Sequence, residues 1–176
     1  MKIIKTGLKG LKIFEGKSYQ DNRGYFREIF KNKEVKKKII FWCMSKSKKN
    51  VIRGMHLQIN YPQEKFISVI KGKIFDVVID LRKKSKTYKK VFTTLLSEKN
   101  CRSLLIPAGF AHGFLGLDDE NIIFYGNSNY RSKKNEIGLI WNDKRLKIKW
   151  PKKKFVLSQK DKKNISLDEF EEKYKL

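Results

Sequence analysis

The amino-acid sequence predicts an all-β fold, a sandwich or barrel of short strands with helix only in short pieces, chiefly toward the ends. Short runs rich in Val, Ile, Phe and Tyr recur along most of the chain and are separated by turn residues. Between them there is no helical pattern of the ~10–15 residues that would signal βαβ units. Apolar residues make up 40% of the 176 positions, enough for a core, yet no run approaches the ~20 residues that cross a bilayer.

In order, the expected strands include Tyr25–Phe30, Ile39–Met44, Lys65–Ile70, Lys73–Leu81, Val91–Leu96, Ser103–Ile106, Asn121–Tyr125 and Ile137–Trp141. Gly72, between the third and fourth, reads as the turn of a hairpin. Within Ile74–Asp80, alternation places Asp76 and Asp80 on one face and Phe75, Val77 and Ile79 on the other. The carboxylate face is either solvated or turned into the lumen of a small barrel, where ligands bind. Pro107 and Gly109 make a turn that leads His112 into a strand. Helix is expected at Asn32–Lys38, as one or two turns, and after Ser166, where Glu169 three residues on completes a capping-box pattern. There is no repeat and no linker, so residues 1–176 read as one domain.

The net charge is +24, from 42 Lys+Arg against 18 Asp+Glu, and it invites a nucleic-acid reading. Of the basic residues, 35 are Lys and 7 are Arg, whereas base and phosphate recognition favours the planar fork of Arg. The Lys are spread over turns and solvent faces without a nucleic-acid motif, so no specific nucleic-acid partner is expected. The start has no continuous apolar stretch or cleavage site, so it does not read as a secretory signal. Two cysteines, Cys43 and Cys101, make no disulfide framework. A cytoplasmic protein away from membranes is the expectation.

Two histidines, His56 and His112, are the whole complement. Gly54 ahead of His56 marks a possible bulge that re-aims its neighbours. Two histidines without an HxH pair or a nearby carboxylate at ligand spacing leave a divalent ion short of ligands, so no metal is expected. A structural histidine at either position fits the residues taken alone.

Seven segments in order carry a resemblance: Asp21–Phe30, Val51–Gln58, Lys65 ahead of Val69–Gly72, Phe75–Arg82, Ile106–Phe114, Ile140–Asp143 and Leu157–Asp161. Together they resemble the dTDP-4-dehydrorhamnose 3,5-epimerase family, nucleotide-sugar epimerases of the cupin superfamily. The resemblance implies a cupin jelly-roll, a homodimer that exchanges N-terminal strands, a nucleotide-sugar substrate and no cofactor. It also implies proton abstraction and opposite-face reprotonation at the carbons beside a 4-keto group, serving surface polysaccharide synthesis. By resemblance His56 is the base, Asp161 its orienting carboxylate, Tyr125 the opposite-face acid and Lys65 the cation near the enolate. Arg23, Arg53, His112 and Lys162 match substrate contacts, and Phe26 and Glu28 match residues reaching across the dimer to hold the nucleotide base. Tyr130 is a candidate stacking residue.

This chain departs from the family pattern at three places. Phe41 and Cys43 stand where Gln and Asn are usual, Arg131 where a second Tyr is expected, and Gly126 where a basic residue is common. Retained proton-transfer residues with an altered holding shell imply a changed sugar or nucleotide. Two other readings are a cupin-type 3,4-ketoisomerase and a non-catalytic sugar-binding cupin. The second of these would be expected to have lost His56, Tyr125 or Asp161, and the Arg-Gly-Met-His and Ser-Gln-Lys-Asp segments favour the epimerase over the first.

Overall fold

The computed structural model of the chain describes residues 1–31, 38–152 and 154–174. Two antiparallel sheets face each other. The first holds, in spatial order, β1 (Lys2–Lys5), β2 (Lys12–Glu15), β10 (Arg102–Ile106), β7 (Lys65–Lys71), β12 (Asn121–Asn127) and β5 (Phe41–Ser47). The second holds β13 (Glu136–Gly138), β6 (Ile52–Gln58), β11 (Phe110–Gly116), β8 (Lys73–Asp80) and β9 (Val91–Ser97). A separate hairpin joins β3 (Ser18–Asp21) to β4 (Gly24–Arg27). The arrangement is the expected jelly-roll.

The core lies between the sheets, where Ile67, Val69, Leu104 and Ile123 of the first meet Ile74, Val78, Phe110 and Phe114 of the second. The second sheet is also covered on its outer face. There Met55, Val77, Ile79 and Ala111 pack beneath Leu139, Leu146, Leu167 and Phe170. Burial on both faces explains why Ile74–Leu81 reads as a nearly continuous apolar run rather than strict alternation. Each fully buried side chain of this kind contributes about 1.5–3 kcal/mol. The cover is a short helix, α2 (Leu167–Lys173), started by the expected capping box. Ser166 Oγ accepts from the Glu169 amide at 3.2 Å, and Glu169 Oε2 accepts from the Ser166 amide at 2.7 Å.

Asp76 and Asp80 point into the lumen, both fully buried. Asp80 accepts from Arg82, Ser85 and Thr87, with contacts of 2.6–2.8 Å. Burial works to raise its pKa, but these donors outweigh it and hold the carboxyl at about 2. Asp80 and its donors clamp the loop that leads into β9.

Several sequence expectations are corrected. Gly72 does not turn a hairpin: β7 pairs with β10 and β12, whereas β8 pairs with β9 and β11. A single residue is too short for a two-residue hairpin loop. At φ +81° it instead carries the chain across a corner from one sheet to the other, so close to Glu120 that a Cβ would lie 2.2 Å from that carbonyl oxygen. The strand expected over Tyr25–Phe30 ends at Arg27, and the one at Ile39–Met44 shifts to Phe41–Ser47. The strand at Ile137–Trp141 shortens to Glu136–Gly138, because Trp141 turns away to pack its ring 4.8 Å from that of Phe155. The helix expected at Asn32–Lys38 falls on residues 32–37, outside the described ones. Among the described residues, two helical turns lie outside the sequence expectations: a 3-10 turn at Lys133–Asn135 and α1 (Gln159–Lys162), the latter capped by Ser158 Oγ accepting from the Asp161 amide at 3.0 Å.

The bulge anticipated at Gly54 is present. His112 faces His56 and Phe114 faces Arg53, so Gly54 and Met55 together stand opposite Gly113. Gly54 has φ +125°, and a Cβ there would sit 2.5 Å from the Gly113 Cα. The extra residue turns the side chains on either side of it and keeps both histidines on the lumen face. Gly54→Ala should therefore lower unfolding stability by about 3 kcal/mol, through left-handed strain plus backbone overlap. Urea denaturation measures this directly, and a midpoint equal to that of wild type would show that the strands separate at no cost.

Candidate active site

A cleft of about 460 Å³ opens between the two sheets toward the β5 side. Of the residues singled out from sequence, His56, Asp161, Tyr125, Lys65, Arg53 and His112 all line it. They arrive from different elements. β6 supplies Arg53 and His56, β11 supplies His112, α1 supplies Asp161, β7 supplies Lys65 and β12 supplies Tyr125.

His56 Nε2 lies 2.6 Å from Asp161 Oδ1. Asp161 is buried, and burial alone would raise its pKa. The hydrogen bond from His56, the nearby charge and the Ser158 hydroxyl overcome that, and the carboxyl stays below its ordinary value. An ionised Asp161 can accept the Nε2 proton, and the other ring nitrogen, Nδ1, makes no hydrogen bond among the described residues. A geometry of this kind can take up a proton. The sequence around Asp161, a Lys-rich run, reads as solvated; the Ser158 cap is what turns this one carboxylate inward.

His112 repeats the pattern, with Nε2 2.8 Å from Asp76 Oδ2 inside the lumen. The second Asp76 oxygen is buried without a partner among the described residues. Because His56 and His112 are cross-strand partners, both rings stand on one face of the second sheet.

Tyr125 projects from the first sheet, with its hydroxyl 3.0 Å from Ser45 Oγ. Burial pushes the phenol well above its usual pKa, and the Ser45 hydrogen bond only partly offsets this. Desolvation outweighs the nearby Arg53 charge as well. The phenol is therefore held protonated at neutral pH, as a donor must be.

Lys65 donates to the His56 carbonyl at 3.4 Å. Burial lowers its ammonium to about 8, with Glu136 pulling the other way. Arg53 is anchored by Ser47 Oγ at 2.8 Å and the Lys46 carbonyl at 3.2 Å.

The remaining expected residues are placed elsewhere. Tyr130 is exposed at the rim, its ring 6.0 Å from that of Phe41. Lys162 is exposed on α1 and does not line the cleft, whereas its neighbour Lys160 does. Arg23 and Phe26 belong to the β3–β4 hairpin, and Glu28 follows it, outside the cleft of their own chain. Arg23 pairs with Asp21 at 2.6 Å and Glu28 with Lys31 at 2.9 Å.

Sequence reasoning gave no role to Ser45, Gln63, Asn127, Glu136 or Lys160, all of which line the cleft. Strand alternation from Phe41 through Cys43 to Ser45, and from Tyr125 to Asn127, was the available signal for two of them. Glu136 had none. It accepts both Nε and Nη2 of Arg131, at 3.0 and 3.1 Å, and pairs with Lys160. Burial opposes its ionisation, yet these cations bring its carboxyl down to about 2. The departures Phe41, Cys43 and Arg131 also line the cleft. Gly126 does not, since a Cβ there would meet the Trp42 indole at 2.6 Å on the other face of the sheet. Among the described residues, no three His, Cys, Asp or Glu side chains converge as a metal site, and no helix is long and apolar enough to cross a membrane.

Residues 5–169 match the family described as dTDP-4-dehydrorhamnose 3,5-epimerase. The enzyme of that name from Shigella flexneri is 43% identical over 168 residues, covering 92% of this chain and 93% of its own. That from Methanothermobacter thermautotrophicus is 40% identical over 168 residues, 91% of each chain. The crystal structure of dTDP-6-deoxy-D-glucose-3,5-epimerase from Legionella pneumophila, in complex with dTDP-4-keto-L-rhamnose, superposes with a TM-score of 0.91. It is 36% identical and covers 95% of this chain and 93% of that one. With near full-length matches in sequence and in structure, the chain belongs to the dTDP-4-dehydrorhamnose 3,5-epimerase family.

Proposed function

We propose that the protein epimerises a nucleotide-linked 4-keto-6-deoxy sugar of the dTDP-4-dehydrorhamnose type, using side chains alone. One observation carries the reading: the His56–Asp161 pair and the Tyr125 hydroxyl approach a single cleft from opposing sheets. A sugar ring lying between those sheets presents one face to a base and the other to an acid. The carbonyl acidifies the C–H bonds beside it, so His56 Nδ1 removes a proton and an enolate forms. Lys65 supplies positive charge to the oxygen as the negative charge develops there. Tyr125 then returns a proton to the opposite face, which inverts the carbon.

Epimerisation is read by deuterium wash-in, followed by NMR in deuterated water with dTDP-4-keto-6-deoxyglucose. His56→Ala should lose both wash-in and product by about 10²–10⁴-fold. Tyr125→Phe should keep part of the wash-in, with retained configuration, while product formation fails. Asp161→Asn should behave as a weakened His56 variant, because the imidazole loses its orientation and its counter-charge. Full epimerisation by Tyr125→Phe would end the two-face assignment.

The Lys65 ammonium has to stay charged to stabilise the enolate, and its pKa near 8 sets the upper limit. The ratio kcat/KM should thus fall as pH rises through about 8. Glu136 helps keep that charge, so Glu136→Gln should move the limb to lower pH. A limb that stays in place when Lys65 is changed to Met would assign it to another group.

The functional unit in this reading is a homodimer. β5 is the open edge of its sheet, and Trp42 and Met44 stand exposed on that strand. Tyr19, Tyr25 and Phe26 expose a second apolar group on the β3–β4 hairpin, beyond the isolated apolar residues usual on a surface. Pairing would bring Arg23, Phe26 and Glu28 of one chain to the nucleotide held by its partner. Native mass spectrometry should give twice the 20.9 kDa of the chain, and Phe26→Ala should raise KM with less effect on kcat. A fully active monomer would remove this part of the reading.

A further inference from the structure

Two inversions by one base and one acid leave a debt of protons. After the first, His56 Nδ1 carries the proton taken from carbon, and Tyr125 is a phenolate. The second inversion needs both reversed. His56 is a quarter exposed and can shed its proton to water. Tyr125 is half-buried, and the cleft side of its ring is covered once a sugar is bound.

On the remaining side stands Ser45, whose Oγ is 3.0 Å from the phenol oxygen and is its hydrogen-bond partner among the described residues. The other neighbours of Tyr125 in the sheet are Cys43 on β5 and Ile67 on β7. Ile67 has no proton to give. Cys43 Sγ accepts from the Asn127 amide at 3.9 Å and makes no hydrogen bond with the Tyr125 hydroxyl among the described residues. Ser45 is half-buried on β5 and lines the cleft, where water can reach its hydroxyl.

We propose that Ser45 resets the acid, passing a proton to the Tyr125 phenolate while taking one from water, so that a second inversion can follow the first. The proposal rests on the epimerase reading above and adds a residue to it. The protons balance. One leaves His56 for water, one moves from water through Ser45 to Tyr125, and no alkoxide accumulates because Ser45 gains a proton as it gives one. Desolvation makes the phenolate a strong base, and the Arg53 charge moderates it, so the transfer runs toward Tyr125. Ser45 acts through Tyr125 and is a positioning residue in this scheme.

The test uses the full-length protein with dTDP-4-keto-6-deoxyglucose in deuterated water, counting singly and doubly inverted sugars by NMR. In Ser45→Ala the ratio of singly to doubly inverted product should rise tenfold or more early in the reaction. Ser45→Thr, which keeps the hydroxyl, should bring the ratio back to the wild-type value. A merely structural role would slow both inversions together and leave the ratio unchanged, and that result overturns the proposal. So does a wild type that inverts only one carbon, since no reset between inversions is then needed. Wild-type protein that neither washes in deuterium nor forms product overturns the epimerase reading itself, whereas active wild type with an unchanged Ser45→Ala ratio overturns the relay alone.

Discussion

Gly54 and Gly113 bring β6 and β11 so close that a Cβ on either would overlap the other's backbone or the Met55 sulfur. The extra residue this contact accommodates has chemical consequences. Side chains in a regular strand alternate strictly, so Arg53 and His56, three apart, would face opposite ways. With one residue bulged, both line the same cleft. Asp161 finds His56 there, across 105 residues of sequence. The backbone contact comes first, and the hydrogen bonds of the site are built upon it.

Charge is distributed unevenly around this frame. Arg53, Lys65, Arg131 and Lys160 line the cleft, and the carboxylates of Asp161 and Glu136 face them. Each carboxylate is committed, Asp161 to His56 and Glu136 to Arg131 and Lys160. Positive charge therefore prevails in the cleft, which suits an anionic substrate. Burial tunes the members in opposite senses. It lowers the Lys65 ammonium to about 8, while it keeps Tyr125 protonated. The same desolvation thus readies one group to be a weakly solvated cation and the other to be a proton donor.

Much of this was legible in the sequence. Short apolar runs without intervening helices suffice for the two-sheet class, and Ser166 with Glu169 suffices for the start of the last helix. The alternation in Ile74–Asp80 placed two carboxylates on one face, but whether that face was wet or enclosed depended on the opposite sheet. Gly72 misled for a related reason. A glycine between two strands looks the same whether the strands pair or part, and only the partners of β7 and β8 decide. From the residues alone the orientation of Asp161 was likewise out of reach, since a run of lysines gives no sign that a serine cap will fold one turn inward. Glu136 was the hardest, because its role depends on Arg131 and Lys160, the latter arriving from a distant segment.

The departures implied by the family resemblance fall on one side of the cleft. Phe41 and Cys43 occupy alternate positions on β5, on the face that also carries Ser45. A phenyl ring and a raised thiol in place of two amides remove hydrogen-bond capacity, each lost partner being worth on the order of 1–3 kcal/mol when the substrate group opposite stays buried. Arg131 restores polar character at the rim, but as a cation locked by two bonds to Glu136. Neither change touches the contacts of His56 with Asp161 or of Tyr125 with Ser45. In the proposed reading, proton transfer rests on those short contacts and sugar selection on the β5 face and the rim. Because the two sets sit on different side chains, selection can drift in this fold while the acid and the base stay in place.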